Sequence, residues 1–87
     1  MAVVVLPRSL IALFPGADRQ VTVDGASVAE VFEALDARWP GIGDRLCEAG
    51  PSIRAFINVY VDHEPAGLGT RVRADSVIHV LPAVAGG

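Results

Sequence analysis

One stretch of this sequence reads as a helix with a single apolar face, and that limits what the rest can build. Ser27-Val28-Ala29-Glu30 has the S-x-x-E pattern of a capping box, so Ser27 should cap the helix. Val31, Phe32, Leu35 and Trp39 follow Val28 at offsets of 3, 4, 7 and 11, which makes one stripe of an α-helix. Glu30, Glu33, Asp36 and Arg38 lie mostly off that stripe, and Pro40-Gly41 ends the helix. Trp39 completes the stripe and is read as core.

The segments around it are short. Ala2 to Leu6 is a β-branched apolar run suited to a central strand. Pro7-Arg8-Ser9 reads as a break, and Leu10 to Phe14 as a strand end or a loop. Pro15-Gly16-Ala17-Asp18 is turn chemistry. Gln20 to Asp24 alternates polar and apolar, as a half-buried strand does. Ile42 to Glu48 reads as a short helical turn with Leu46 inward, and Ala49-Gly50-Pro51-Ser52 as a loop. Phe56 to Val61 is a strand with two faces. Asp62 to Gly67 is a turn, Leu68 to Val72 is irregular with room for a short edge strand, and Val77 to Leu81 is the last strand. One helix can cover only one face of such a sheet. The first and last strands belong side by side in its middle. The expected architecture is α+β of the β-grasp type: a mixed sheet of four or five strands on one main helix.

Composition narrows the function classes. The 87 residues make one small domain, 52% hydrophobic and 20% charged. A net charge of −3 without a basic cluster argues against nucleic-acid binding. No apolar run is long enough to span a membrane. The N-terminus lacks a secretory signature, and the single Cys47 cannot form an internal disulfide, so a reducing cytoplasm is expected. All seven cations are arginine, so the chain offers no lysine side chain to an isopeptide bond.

The chain closes on Leu81-Pro82-Ala83-Val84-Ala85-Gly86-Gly87. Residues 1–81 are expected to form the domain and 82–87 a flexible tail with a reach of roughly 20 Å. Pro82 fixes φ and lacks an N–H, which suits the end of a strand. Gly86 and Gly87 carry no side chains, so they fit a narrow tunnel in conformations closed to other residues. Such an arm, ending in a carboxylate, suits activation by another enzyme.

With this tail, the element order resembles the ubiquitin-like proteins, and the sulfur carriers among them. That family includes the molybdopterin-synthase small subunit and the thiamin thiazole carrier. The matching segments are Val28 to Gly41, Phe56-Ile57-Asn58-Val59-Tyr60-Val61-Asp62 and Asp75 to Gly87. Within the family the chain is most similar to actinobacterial carriers for cysteine synthesis from O-phosphoserine, which share the Phe-x-Asn-x-Tyr-Val strand and the Leu-Pro-Ala-Val-Ala-Gly-Gly ending. The Ala49–Ala55 loop is shorter than in those carriers.

The resemblance implies that Gly87 is the reacting residue. An ATP-dependent activating enzyme would adenylate its carboxylate, and sulfide or a persulfide would displace AMP to leave a thiocarboxylate. Pro82, Ala83, Val84, Ala85 and Gly86 would thread the partner's active site. In the cysteine pathway the sulfur-accepting synthase uses pyridoxal phosphate (PLP), and a zinc peptidase releases the product. No cofactor is expected on this chain, which acts as a co-substrate rather than an enzyme. Molybdopterin, thiazole or a sulfur-containing natural product are alternative destinations for the sulfur. A protein modifier and a plain β-grasp binding module are alternative roles.

The handle for partners is expected on the sheet face away from the helix. If Ile57, Val59, Ile78 and Val80 face the helix, then Phe56, Asn58, Tyr60, His79 and Leu81 face out as a docking patch. His63-Glu64 has part of a metalloprotease motif without the second histidine, so no metal site is read from His63 and His79. Cys47 reads as a packed residue. Gly41-Ile42-Gly43 and Gly67-Leu68-Gly69 lack the strand-to-helix context of phosphate loops and read as turns. No nucleophile–base–acid set can be assembled.

Overall fold

The structure, a computed structural model, describes residues 1–82. In chain order, β1 (Ala2–Val5) leads through a helical turn, α1 (Arg8–Ile11), to β2 (Gln20–Val23). The main helix α2 (Val28–Arg38) and a short α3 (Ile42–Leu46) follow, then a two-residue hairpin of β3 (Cys47–Glu48) and β4 (Ser52–Ile53). The chain continues through β5 (Ile57–Val61), β6 (Glu64–Pro65) and β7 (Val77–Pro82).

Ser27 caps α2 as its sequence pattern requires. Its Oγ accepts from the Glu30 amide at 3.2 Å. The Glu30 carboxylate accepts in return from the Ala26 amide at 3.4 Å, so one orphan donor of the first turn and the amide just before the cap are answered together. Gly25, just before the cap, has no room for a side chain: a Cβ there would stand 2.8 Å from the Val31 backbone nitrogen. The helix stops at Trp39, whose backbone leaves the helical region before Pro40. Gly41 then turns the chain at φ +100, a conformation that side chains disfavour. Asp36 holds this corner, its Oδ1 accepting from the amides of Gly41 at 3.1 Å and Gly43 at 2.9 Å.

The five-stranded sheet has the order β2-β1-β7-β5-β6. The first and last strands lie side by side and parallel in the middle, with Val3, Val4 and Val5 opposite Val77, Ile78 and His79. The other neighbours are antiparallel, so the sheet is mixed, as the sequence predicts. Val28, Val31, Phe32 and Leu35 of α2 are buried against Val4, Val21, Val23, Val59, Val61, Ile78 and Val80, with Ile42 and Leu46 of α3 closing one end. Each such side chain contributes about 1.5–3 kcal/mol relative to exposure, before entropy is subtracted. Trp39 packs only partly against this core, with the Arg38 guanidinium 4.5 Å above its ring. Arg38 also donates to the Thr22 carbonyl at 3.2 Å, placing a charge on the open edge of β2, where bare backbone would invite another strand.

Four local expectations need correction. Arg8–Ile11, read as part of a break followed by a strand end or loop, is a helical turn. Pro7 stands just before it, and the amides of Leu10 and Ile11 both donate to its carbonyl. The helical turn read at Ile42–Glu48 ends at Leu46, and Cys47–Glu48 is instead a strand that pairs with Ser52–Ile53 around the expected loop. The short edge strand lies at Glu64–Pro65, inside the expected turn, because Asp62 and His63 alone reverse the chain; Leu68–Val72 contributes only the single bridge Ser27–Arg71. Finally, β7 runs one residue beyond Leu81. Pro82 pairs with Ile57 beyond the end of β1, a position at the rim of the sheet that tolerates a proline.

Leu35→Ala should cost about 2–5 kcal/mol, because its side chain is fully buried between α2 and the sheet. Urea unfolding followed by circular dichroism would read the shift in midpoint.

Candidate functional site

The alternation along β5 and β7 sorts their side chains cleanly. Val59, Val61, Ile78 and Val80 are buried under α2, while Asn58, Tyr60, His79 and Leu81 stand on the opposite face. The register joins these four as the cross-strand pairs Asn58–Leu81 and Tyr60–His79. Phe56, one residue before β5, is 73% exposed, and Leu81 is 44% exposed. The structure therefore brings Asn58, Tyr60, His79 and Leu81 of the expected docking patch together around the C-terminal half of β7, while Phe56 stands apart, before β5, lining a groove with Leu13 and Phe14. Half-buried Val3 and Val5 of β1 extend the patch, since Val5 pairs with His79. The sequence could not assign them, because every residue from Ala2 to Val5 is apolar and alternation leaves no mark. Of the expected tail, Pro82 ends β7; Ala83, Val84, Ala85, Gly86 and Gly87 lie outside the described residues.

A groove of about 750 Å³ opens where β7 ends, lined in part by Leu13, Phe14, Arg45, Arg54, Phe56 and Ile57. Leu13 and Phe56 are both largely exposed there. Arg54 is fixed by donation from Nε to the Asp44 carbonyl at 2.7 Å. Sequence reasoning missed Leu13, Arg45 and Arg54: they come from separate segments that only the fold makes neighbours.

Chemistry within the domain is sparse. Cys47 is partly buried against the core, and burial pushes its thiol up, with Arg54 pulling the other way. A raised thiol has little thiolate character and makes a poor nucleophile. Among the described residues, no three or more His, Cys, Asp or Glu side chains gather in a way that could hold a metal ion. None of the described helices is long and apolar enough to cross a membrane.

Asp62 and His63 form the two-residue turn between β5 and β6, at φ 50 and φ 73. Positive φ at both positions gives the twist that a tight hairpin requires. The Asp62 carboxylate accepts from the Val77 amide at 2.9 Å, while its own amide donates to the Val77 carbonyl at 2.9 Å. The turn is thereby tied to the start of β7. The bond from Val77, then one from Ser76, hold the Asp62 carboxyl below its ordinary value of 3.8.

The ThiS family profile matches residues 12–87. This chain belongs to the ThiS family. It is 32% identical over 78 residues to the sulfur carrier protein CysO of Mycobacterium tuberculosis, covering 83% of this chain and 84% of that one. It superposes on a chain of the Amycolatopsis orientalis BexX/CysO complex with a TM-score of 0.87 and 33% identity, covering 100% of both. It is also similar to SAMP1, a small archaeal modifier protein of Haloferax volcanii, with a TM-score of 0.75 and 30% identity over 99% of this chain and 98% of that one. The β-grasp architecture read from the sequence is thus that of its ThiS-family relatives.

Because the Asp62 value is depressed on folding, its contribution to stability is fully present above the ordinary value of 3.8 and is lost as pH falls through the lowered one. Asp62→Asn should flatten the acid limb of the urea midpoint while the Val77 amide resonance keeps its place; an unchanged pH dependence would show that this tie is inert.

Proposed function

We propose that this chain carries sulfur as a thiocarboxylate on Gly87, charged by an ATP-dependent activating enzyme and delivered to a synthase of cysteine biosynthesis. The observation that carries the reading is the family match, which runs through Gly86 and Gly87. The likeness to CysO of Mycobacterium tuberculosis favours cysteine as the destination. A sulfur-containing metabolite or molybdopterin would use the same end group.

A carboxylate is a poor acyl donor because its oxygen leaves badly. Attack of a Gly87 carboxylate oxygen on the α-phosphorus of ATP expels pyrophosphate and gives an acyl-adenylate. Sulfide then attacks the carbonyl carbon and AMP departs, leaving C(=O)S⁻. The sulfur is a good nucleophile at neutral pH, since a thioacid is largely ionised there. The domain's part is to be recognised and to hold the end group in place. The partner supplies the electrostatics of each step and, for cysteine, the PLP that presents the acceptor.

Amycolatopsis orientalis CysO is found with BexX. By analogy, Phe56, Asn58, Tyr60, His79 and Leu81 dock this chain on its partners, while the residues from Pro82 to Gly86 lead Gly87 inward. The likeness to SAMP1 favours a second reading, a modifier joined through Gly87 to lysines of other proteins.

Incubation with a related activating enzyme, ATP and sulfide should raise the intact mass by the exchange of one oxygen for sulfur, located on Gly87 by fragmentation. Deleting Gly87 should abolish the exchange. Phe56→Ala should raise the apparent KM for activation by about tenfold, the effect of losing one moderate anchor at an interface. Lysine adducts on unrelated proteins, without a persistent thiocarboxylate, would favour the modifier.

A further inference from the structure

The only two histidines of the chain are 16 residues apart in sequence, yet their rings stack, with centroids 5.7 Å apart and planes 28° from parallel. Each is held by a different device. His63 sits in the β5–β6 turn, whose preceding residue ties the turn backbone to β7 through the Asp62–Val77 bonds. His79 is in the middle of β7, between Val5 of β1 and Tyr60 of β5. Tyr60 and Leu81 complete a shallow groove of about 260 Å³ around the pair. We infer that His63 and His79 are the two protein ligands of an open site for a late first-row divalent cation, such as Zn²⁺, Ni²⁺ or Cu²⁺.

Three observations support this. The first is spacing. Two imidazoles bound to one tetrahedral ion at about 2.0–2.1 Å per nitrogen have centroids roughly 5.2 Å apart, close to the spacing here, and chelation requires both rings to rotate out of their stack so that one nitrogen of each faces the ion. The second is rigidity. One ligand stands on a tight turn and the other on a central strand, so the two backbone positions are fixed before chelation and only side-chain rotation is required. The third is charge. The chain is net negative, and Asp62 and Glu64 flank His63 in sequence, a favourable setting for a cation. Imidazole selects late transition ions over Mg²⁺ and Ca²⁺, which prefer oxygen. Two ligands are fewer than the three or four of a resident zinc site. The ion therefore keeps positions open to water or to a donor from whatever sits on this face.

The test uses the untagged full chain with Cys47→Ser, which removes the one thiol. Titration with Zn²⁺ or Ni²⁺, read by calorimetry, should show one saturable site. His79→Gln and His63→Asn should each weaken it by at least about tenfold, because the second imidazole acts at high effective concentration. Asn is chosen at 63 because it tolerates the positive φ of the turn. Mg²⁺ should not compete. Trace Cu²⁺ should broaden amide resonances around Tyr60–His63 and His79–Leu81 first. Absence of saturable binding, binding that survives both substitutions, or broadening centred elsewhere would overturn the assignment.

Discussion

The structure depends on one packing event: the apolar stripe of α2 pressed onto one face of the sheet. The helix cannot hide Val28, Val31, Phe32 and Leu35 anywhere else, and the sheet cannot hide Val4, Ile78, Val59 and Val80 without it. With one main helix and one sheet, the opposite face must remain open. Asn58, Tyr60, His79 and Leu81 owe their exposure to the residues between them, whose burial fixes the register and therefore the face.

Much of this was legible in the sequence, for reasons that differ by element. Ser27 and Glu30 announce the start of α2 through short-range hydrogen bonds, and the stripe announces its face. The strand at Ile57–Val61 is legible because Asn58 and Tyr60 interrupt its apolar side. What could not be read depends on contacts between distant segments. Arg8–Ile11 has no periodicity long enough to show itself, and its helical turn forms only where Leu10 finds the core. The edge strand was misplaced because an Asp-His pair can make a two-residue turn when Val77 satisfies the aspartate, and Val77 is far along the chain. The same limit applied to the site. The patch around Tyr60 and His79 followed from alternation. The groove of Leu13, Arg45 and Arg54, and the meeting of His63 with His79, did not, since spacing in sequence says nothing about either.

Membership in the ThiS family gives the open face and the chain end a common purpose. A carrier of an activated group must be recognised by several partners and must react at one point. In the proposed reading, recognition and reaction are separated along a single strand. On that reading the exposed side chains of β7 and its neighbour offer the surface, and Gly87, at the end of the sequence, is the reacting residue. No step of the proposed chemistry needs a nucleophile or a base from the domain. Cys47, half-buried with its thiol pushed up, is built to stay out of the reaction.

The place of β7 also has a mechanical consequence. If a partner draws the C-terminal end into its active site, as proposed, the pull is borne by β7. That strand is bonded on both sides, to β1 in parallel and to β5 in antiparallel register. A load applied this way is shared in shear across two ladders at once, instead of peeling one pair after another from an edge. Two ladders on β7 would let the domain act as a grip under such a pull.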